Sequence, residues 1–147
     1  MPDFFVRGIP ATAGSKRAFP IQRKDGKLGV AVTADCKRSK PWMASIAHEA
    51  ASVFDSPFAA GVAIELAMTF YLPRPRGQFR RNGELHKWAP VHRAQLPDLH
   101  KLVRCAEDAL KGIAWVDDSQ VVRSRCEKVY GHDPGVHIDV RVLDEIL

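Results

Sequence analysis

The stretch Leu96-Pro97-Asp98-Leu99-His100-Lys101-Leu102-Val103-Arg104-Cys105-Ala106-Glu107-Asp108-Ala109-Leu110-Lys111-Gly112-Ile113-Ala114-Trp115-Val116-Asp117-Asp118-Ser119-Gln120 sits between two strand-like segments and organises the chain. Pro97-Asp98 is a helix-opening pair. Leu99, Leu102, Val103, Ala106 and Leu110 recur at helical spacing and predict one buried face. His100, Arg104, Glu107 and Lys111 are assigned to the opposite, solvated face, and Gly112 is the C-terminal stop. The helix is thus clamped between Asp98 and the Asp117-Asp118 pair, an arrangement expected to bring the two acidic clusters together.

Working outward, Val62, Ile64, Leu66, Met68 and Phe70 alternate with Ala63, Glu65, Ala67, Thr69 and Tyr71, which predicts a half-buried strand closed by Pro73 and Pro75. After the helix, Val121–Val129 reads as a strand, Gly131–Gly135 as a turn, and Val136–Val142 as a last strand with Val136, Ile138, Val140 and Val142 on one face. Upstream, Phe4–Pro10 is a first strand. Phe19–Gln22 and Leu28–Thr33 form a hairpin through Asp25-Gly26. Ser39-Lys40-Pro41 opens a helix with Trp42, Met43, Ile46, Ala50, Val53 and Phe54 as its apolar stripe, ended by Ser56-Pro57. The expected fold is α+β, one domain over residues 1–147, with a mixed sheet packed against two main helices.

The 147 residues carry a formal charge of +5, with 46% hydrophobic and 27% charged residues, as in globular proteins able to bury a normal core. No apolar run approaches the roughly 18–20 residues that span a bilayer, and none resembles a secretory segment, so a cytoplasmic location without membrane contact is expected. Cys36, Cys105 and Cys126 match no zinc spacing or disulfide framework and are read as reduced thiols.

The cations are unevenly placed. Between residues 73 and 96, Arg74, Arg76, Arg80, Arg81, Lys87 and Arg93 face a single acid, Glu84, with Phe79, Trp88, His86 and His92 interleaved. A long aperiodic loop of this composition fits an arm that tracks a nucleic-acid backbone and stacks on bases, or a solvated disordered loop. Lys16 and Arg17, beside Gly14, fit a phosphate-contacting loop or a solvated turn.

Hard divalent ions prefer carboxylate oxygens, and phosphodiester hydrolysis uses them to activate water and neutralise charge. Asp98 and Asp118, then Asp117, are the candidate ligands of such an ion. Each has a competing role: Asp98 as a helix N-cap, Asp117-Asp118-Ser119 as ordinary turn chemistry. His100 can join Asp98 only if the helix begins after Asp98, because helical residues two apart lie about 200° around the axis. Otherwise His100 is an exposed helix-face residue.

The run Pro97-Asp98-Leu99-His100-Lys101-Leu102, then Asp108-Ala109-Leu110-Lys111-Gly112 and Asp117-Asp118-Ser119-Gln120-Val121, resembles the RusA family of Holliday-junction resolvases, whose blocks read roughly Pro-Asp-x-Asp, Asp-Ala-Leu-x-Gly and Asp-Asp-x-Gln-Val. Val6-Arg7-Gly8-Ile9-Pro10 and Gly14-Ser15-Lys16-Arg17-Ala18-Phe19 resemble the family's opening strand and basic turn, especially in phage and prophage members. The resemblance implies a homodimeric endodeoxyribonuclease acting on four-way DNA junctions with Mg²⁺ or Mn²⁺, in recombination and repair. It places the metal-binding acids on Asp98 and Asp118, and a catalytic lysine on Arg104, for which Lys101 is a substitute on nearly the same face.

The departure is His100, standing where the family has a second acid. Imidazole suits Mn²⁺ better than Mg²⁺ and brings no negative charge. The alternative is therefore a branched-DNA-binding protein that cuts weakly or not at all. A basic protein-interaction domain without nucleic acid is a third reading. The sequence assigns no dimer interface; Trp88 or Trp115, if exposed, is a candidate for one.

Overall fold

The computed structural model describes residues 2–12, 16–34 and 37–143, with side chains left aside for residues 16–19 and 31–34. Among them the order is β1 (Asp3–Arg7), β2 (Lys16–Gln22), β3 (Leu28–Ala34), α1 (Ser39–Val53), β4 (Ile64–Leu72), α2 (Leu99–Leu110), β5 (Val121–Tyr130) and β6 (Gly135–Val142). The fold is α+β, with the expected mixed sheet.

The four-stranded sheet runs β1-β6-β4-β5. β4 lies between antiparallel β6, with Met68 opposite Ile138, and parallel β5, with Met68 opposite Cys126. A parallel pair cannot be closed by a tight turn. The connection from β4 to β5 is instead the 73–96 arm followed by α2. The β2–β3 hairpin forms a separate two-stranded sheet, paired through Phe19 and Ala31, rather than extending the mixed one.

One core joins α1, α2 and one face of the sheet. From α1 it takes Trp42, Ile46 and Ala50, a strict four-residue repeat, while Val53 is left exposed. From β4 it takes Ile64, Leu66, Met68 and Phe70. Each large apolar side chain so enclosed contributes about 1.5–3 kcal/mol relative to leaving it in water. α2 buries Leu102, Cys105, Ala106, Ala109 and Leu110, with Leu99 and Val103 packed against the core. Cys105 and Ala109 widen the expected face. Gly112, with φ of 85°, provides the left-handed stop that a side chain would resist.

The opposite face of the sheet carries charge. Glu65, buried on β4, accepts hydrogen bonds from Arg123 (2.8 Å) and Arg125 on β5. The Arg123 hydrogen bond, opposed by burial and supported by Arg125, holds the Glu65 carboxyl below its ordinary value.

No helix among the described residues is long and apolar enough to cross a membrane.

Candidate active site at the two ends of α2

Asp98 stands at the N-cap of α2 with extended backbone, φ −68° and ψ 133°, and the helix begins at Leu99. This meets the condition under which Asp98 and His100 can face the same way. Asp98 makes no side-chain capping hydrogen bond. Its carboxylate Oδ2 lies instead 3.7 Å from Lys101 Nζ, with both side chains about half exposed.

Asp98 opens into a cleft of about 350 Å³ lined by Pro10, Ala11, Thr12, Arg38, Leu96 and Lys101, among others. A carboxylate between a lysine and an arginine can hold an ion on one side while the cations take a phosphate. The segment leading to Asp98 is pinned by Lys128 of β5, whose Nζ donates to the carbonyls of Gln95 (2.7 Å) and Pro97 (2.8 Å). Arg104, like Lys101, is exposed on α2, one turn further on.

The other end of α2 is closely tied. Gln120 Oε1 accepts from the amides of Val116 and Asp117, both at 2.9 Å, and its Nε2 donates to Ala59 (2.8 Å) and Val62 (3.2 Å). Asp117 Oδ1 accepts from the Ser119 amide at 2.9 Å, and that bond keeps its carboxyl below the ordinary range. This oxygen of Asp117 therefore does turn chemistry. Asp118 Oδ1 accepts from Trp115 Nε1 at 3.0 Å, which orients its exposed carboxylate.

Trp115 is fully buried, so it cannot supply a dimer contact. Glu107 also departs from the expected solvated face: it is half-buried. Burial, with Asp118 and Asp108 nearby, raises its pKa.

The helix acts as a spacer. Glu107, which feels Asp118, lies nine residues beyond Asp98, about 13 Å along the axis at 1.5 Å per residue. The strands agree: Asp118 precedes Val121 at the start of β5, whereas Pro97 is held by Lys128, about 23 Å further along that strand at 3.3 Å per residue. Two oxygens on one Mg²⁺ lie within about 4 Å of each other, since each bond is about 2.1 Å. Asp98 and Asp118 of one chain therefore cannot share an ion. No three His, Cys, Asp or Glu side chains among the described residues group in a way that could hold a metal. The donor type suits a hard divalent ion at both ends; the separation does not.

The 73–96 arm is ordered by its own cations. Arg74 donates to Gln78 Oε1 (2.9 Å) and Pro90 O (2.7 Å) and lies 4.2 Å over the Tyr130 ring. Arg93 donates to Leu96 O (2.9 Å) and Pro73 O (3.2 Å), joining the two ends of the arm. Arg74 and Arg93 thus build the arm. Arg76, Arg80, Arg81 and Lys87 point outward, with Arg80 Nη1 3.9 Å from Glu84. The Lys16 and Arg17 side chains, and residues 13–15, expected as a phosphate-contacting loop or a solvated turn, lie outside the described residues.

Arg38, Lys128 and Glu107 had no assigned role in the sequence. Arg38 and Lys128 carry no spacing signal, since both act across long sequence separations. Glu107 keeps to helical spacing, but a charged residue on a helix defaults to solvent.

Open carboxylates beside cations, in a basic α+β chain with a cationic arm, define a protein suited to phosphate-rich polymers. The family model Endodeoxyribonuclease RusA matches residues 12–141, and the chain belongs to that family of endodeoxyribonucleases. It is also similar to the uncharacterized protein YqaN of Bacillus subtilis (strain 168), 26% identical over 142 residues that cover 94% of each chain.

Proposed function

We propose that the protein resolves four-way DNA junctions by divalent-metal-dependent hydrolysis, working as a homodimer in the cytoplasm. The observation that carries this reading is the Asp98 carboxylate, left uncapped at the head of α2 and opening with Lys101 and Arg38 into one cleft. An N-cap aspartate serving only the helix would bond its amides. This one does not.

The spacing of the acids supports a dimer. A two-fold axis that lays two α2 helices antiparallel sets the head of each beside the tail of the other. Asp98, with His100 in support, then meets Asp118 of a second copy, and the two sites so formed match a symmetric pair of cuts. Exposed apolar residues flank both ends: Leu96 beside Asp98, 74% exposed, and Val116 beside Asp117, 47% exposed. They are suited to meet across such an axis.

A bound ion supplies a polarised water and charge neutralisation at the phosphate. Asp98 and Asp118 would hold it, with Asp117 in support. Lys101 and Arg38 would bind the non-bridging phosphate oxygens. Arg104, which stays protonated, would stabilise charge rather than donate a proton. Outward cations of the arm, with Lys16 and Arg17, would hold the junction arms.

The test is cleavage of a synthetic four-way junction with Mg²⁺ or Mn²⁺, lost in Asp98→Asn and Asp118→Asn. A wild-type protein that leaves junctions intact with either ion overturns the proposal. His100 supports a second reading, a junction-binding protein of weak activity, because an imidazole there lowers the negative charge of the site. That protein would bind junctions tightly without cutting them.

A further inference from the structure

His86 and Trp88, on the arm, have no part in the proposed cleavage chemistry. Their rings are stacked, with centroids 5.1 Å apart and 16° between planes. His86 is the fixed plate: its amide donates to Gln78 O at 2.9 Å, and its carbonyl accepts from Ala89 N at 3.0 Å. Trp88 lies against it and is 65% exposed. The other two tryptophans, Trp42 and Trp115, are buried. Because Arg74 and Arg93 tie the arm to Tyr130 and Pro73, the platform is presented by an ordered element.

Lys87 lies between the two in sequence and Arg81 belongs to the same arm; both are exposed cations. A flat aromatic face among cations recognises a group that is itself flat and attached to anions. Nucleobases on a phosphate backbone are such groups, and stacking reads their faces without regard to sequence. Bases within a duplex present only their edges to the grooves, because their faces are covered by neighbouring pairs. An unpaired base has a face to offer. A self-contact between two copies through this patch would bring like charges together.

We propose that the His86–Trp88 stack is a platform for an unpaired nucleobase, with Arg81 and Lys87 on the flanking phosphates. The proposal deepens the nuclease reading and rests on it: the platform directs the enzyme to DNA whose pairing is interrupted, as at a branch point.

Trp88 is the most exposed tryptophan, so its fluorescence reports on the platform. The experiment titrates the full-length protein with an oligothymidylate and, separately, with a blunt duplex of equal length. The oligothymidylate is expected to quench the exposed tryptophan, and the duplex to leave it largely unchanged. Trp88→Ala is expected to weaken oligothymidylate binding about 5- to 150-fold, the range set by stacking of one base. Trp88→Phe, which keeps a ring, is expected to retain most of it, with duplex binding altered less than about 2-fold in either variant. The proposal is overturned if Trp88→Ala binds oligothymidylate like wild type. It is equally overturned if that variant loses duplex binding to the same extent, or changes only the oligomeric state, which would make Trp88 a chain–chain contact. Failure of the nuclease reading shows separately, as wild-type protein that cuts no junction.

Discussion

The two ends of α2 use the same residue type in opposite ways. At the head, Asp98 forms no capping bond and faces Lys101 across 3.7 Å in an open cleft. At the tail, Asp117 and Gln120 complete a reciprocal capping box, and Asp118 is oriented by the buried Trp115. The head is left open at some loss of helix stability, whereas the tail is overbuilt. A carboxylate that the fold does not use locally is available for chemistry; one locked into a turn first serves the fold. Asp118 is intermediate, since one oxygen is fixed and its side chain remains exposed.

Substitution separates the two ends. Asp98→Asn is expected to lower junction cleavage about 100-fold or more, as loss of a metal ligand exceeds loss of its supporting contacts. Its melting temperature should stay close to wild type, because no capping bond is lost; a large fall would show that Asp98 is a structural cap. Gln120→Ala should do the reverse. It removes a buried amide that bonds Val116, Asp117, Ala59 and Val62, and is expected to cost about 2–4 kcal/mol in denaturant unfolding. An unchanged unfolding midpoint would mean that the tail is less tightly built than its hydrogen bonds imply.

His100→Asp sharpens the view of the head. An added carboxylate suits Mg²⁺ better than imidazole does. Cleavage in Mg²⁺ is expected to rise about 5-fold or more, with a smaller gain in Mn²⁺. Little change or a loss of cleavage would show that the site works with the imidazole itself.

The smallest effect lies away from both ends. Glu65 has its carboxyl lowered from 4.5 in the folded state by Arg123 and Arg125. The folded state therefore binds this proton less readily than the unfolded chain. Its contribution is fully present above the unfolded value of about 4.5 and is lost as pH falls through the lower folded value. Thermal unfolding below pH 4.5 should show a shallower acid loss of stability in Glu65→Gln than in wild type. Parallel pH profiles would remove Glu65 from the acid response.

Much of this was legible in the sequence because much of it is local. Alternation located β4 to within two residues, and Gly112 marked the end of α2. The helix start after Asp98 could be posed as a condition before it was seen. Long-range pairing could not be read. Nothing in Val121–Val129 says that it lies parallel to β4, and that parallel pairing sets Asp98 and Asp118 at opposite ends of the sheet. Charged residues defaulted to solvent, so Glu65 and Glu107 were missed as partly or wholly enclosed groups. From composition Arg74 and Arg93 are cations of a DNA-tracking arm or of a solvated loop, because composition cannot show that a guanidinium turns back onto Tyr130 or a carbonyl.

The central claim, that each site joins the head of one α2 to the tail of another, is tested most directly by complementation. Asp98→Asn and Asp118→Asn are each inactive alone, and are mixed under conditions that allow subunits to exchange. If the acids meet across the two-fold, each mixed dimer holds one doubly altered site and one intact site. The mixture is then expected to regain nicking of the junction, one strand per dimer. If the mixture exchanges subunits and stays inactive, the two acids do not meet across copies, and the account is contradicted.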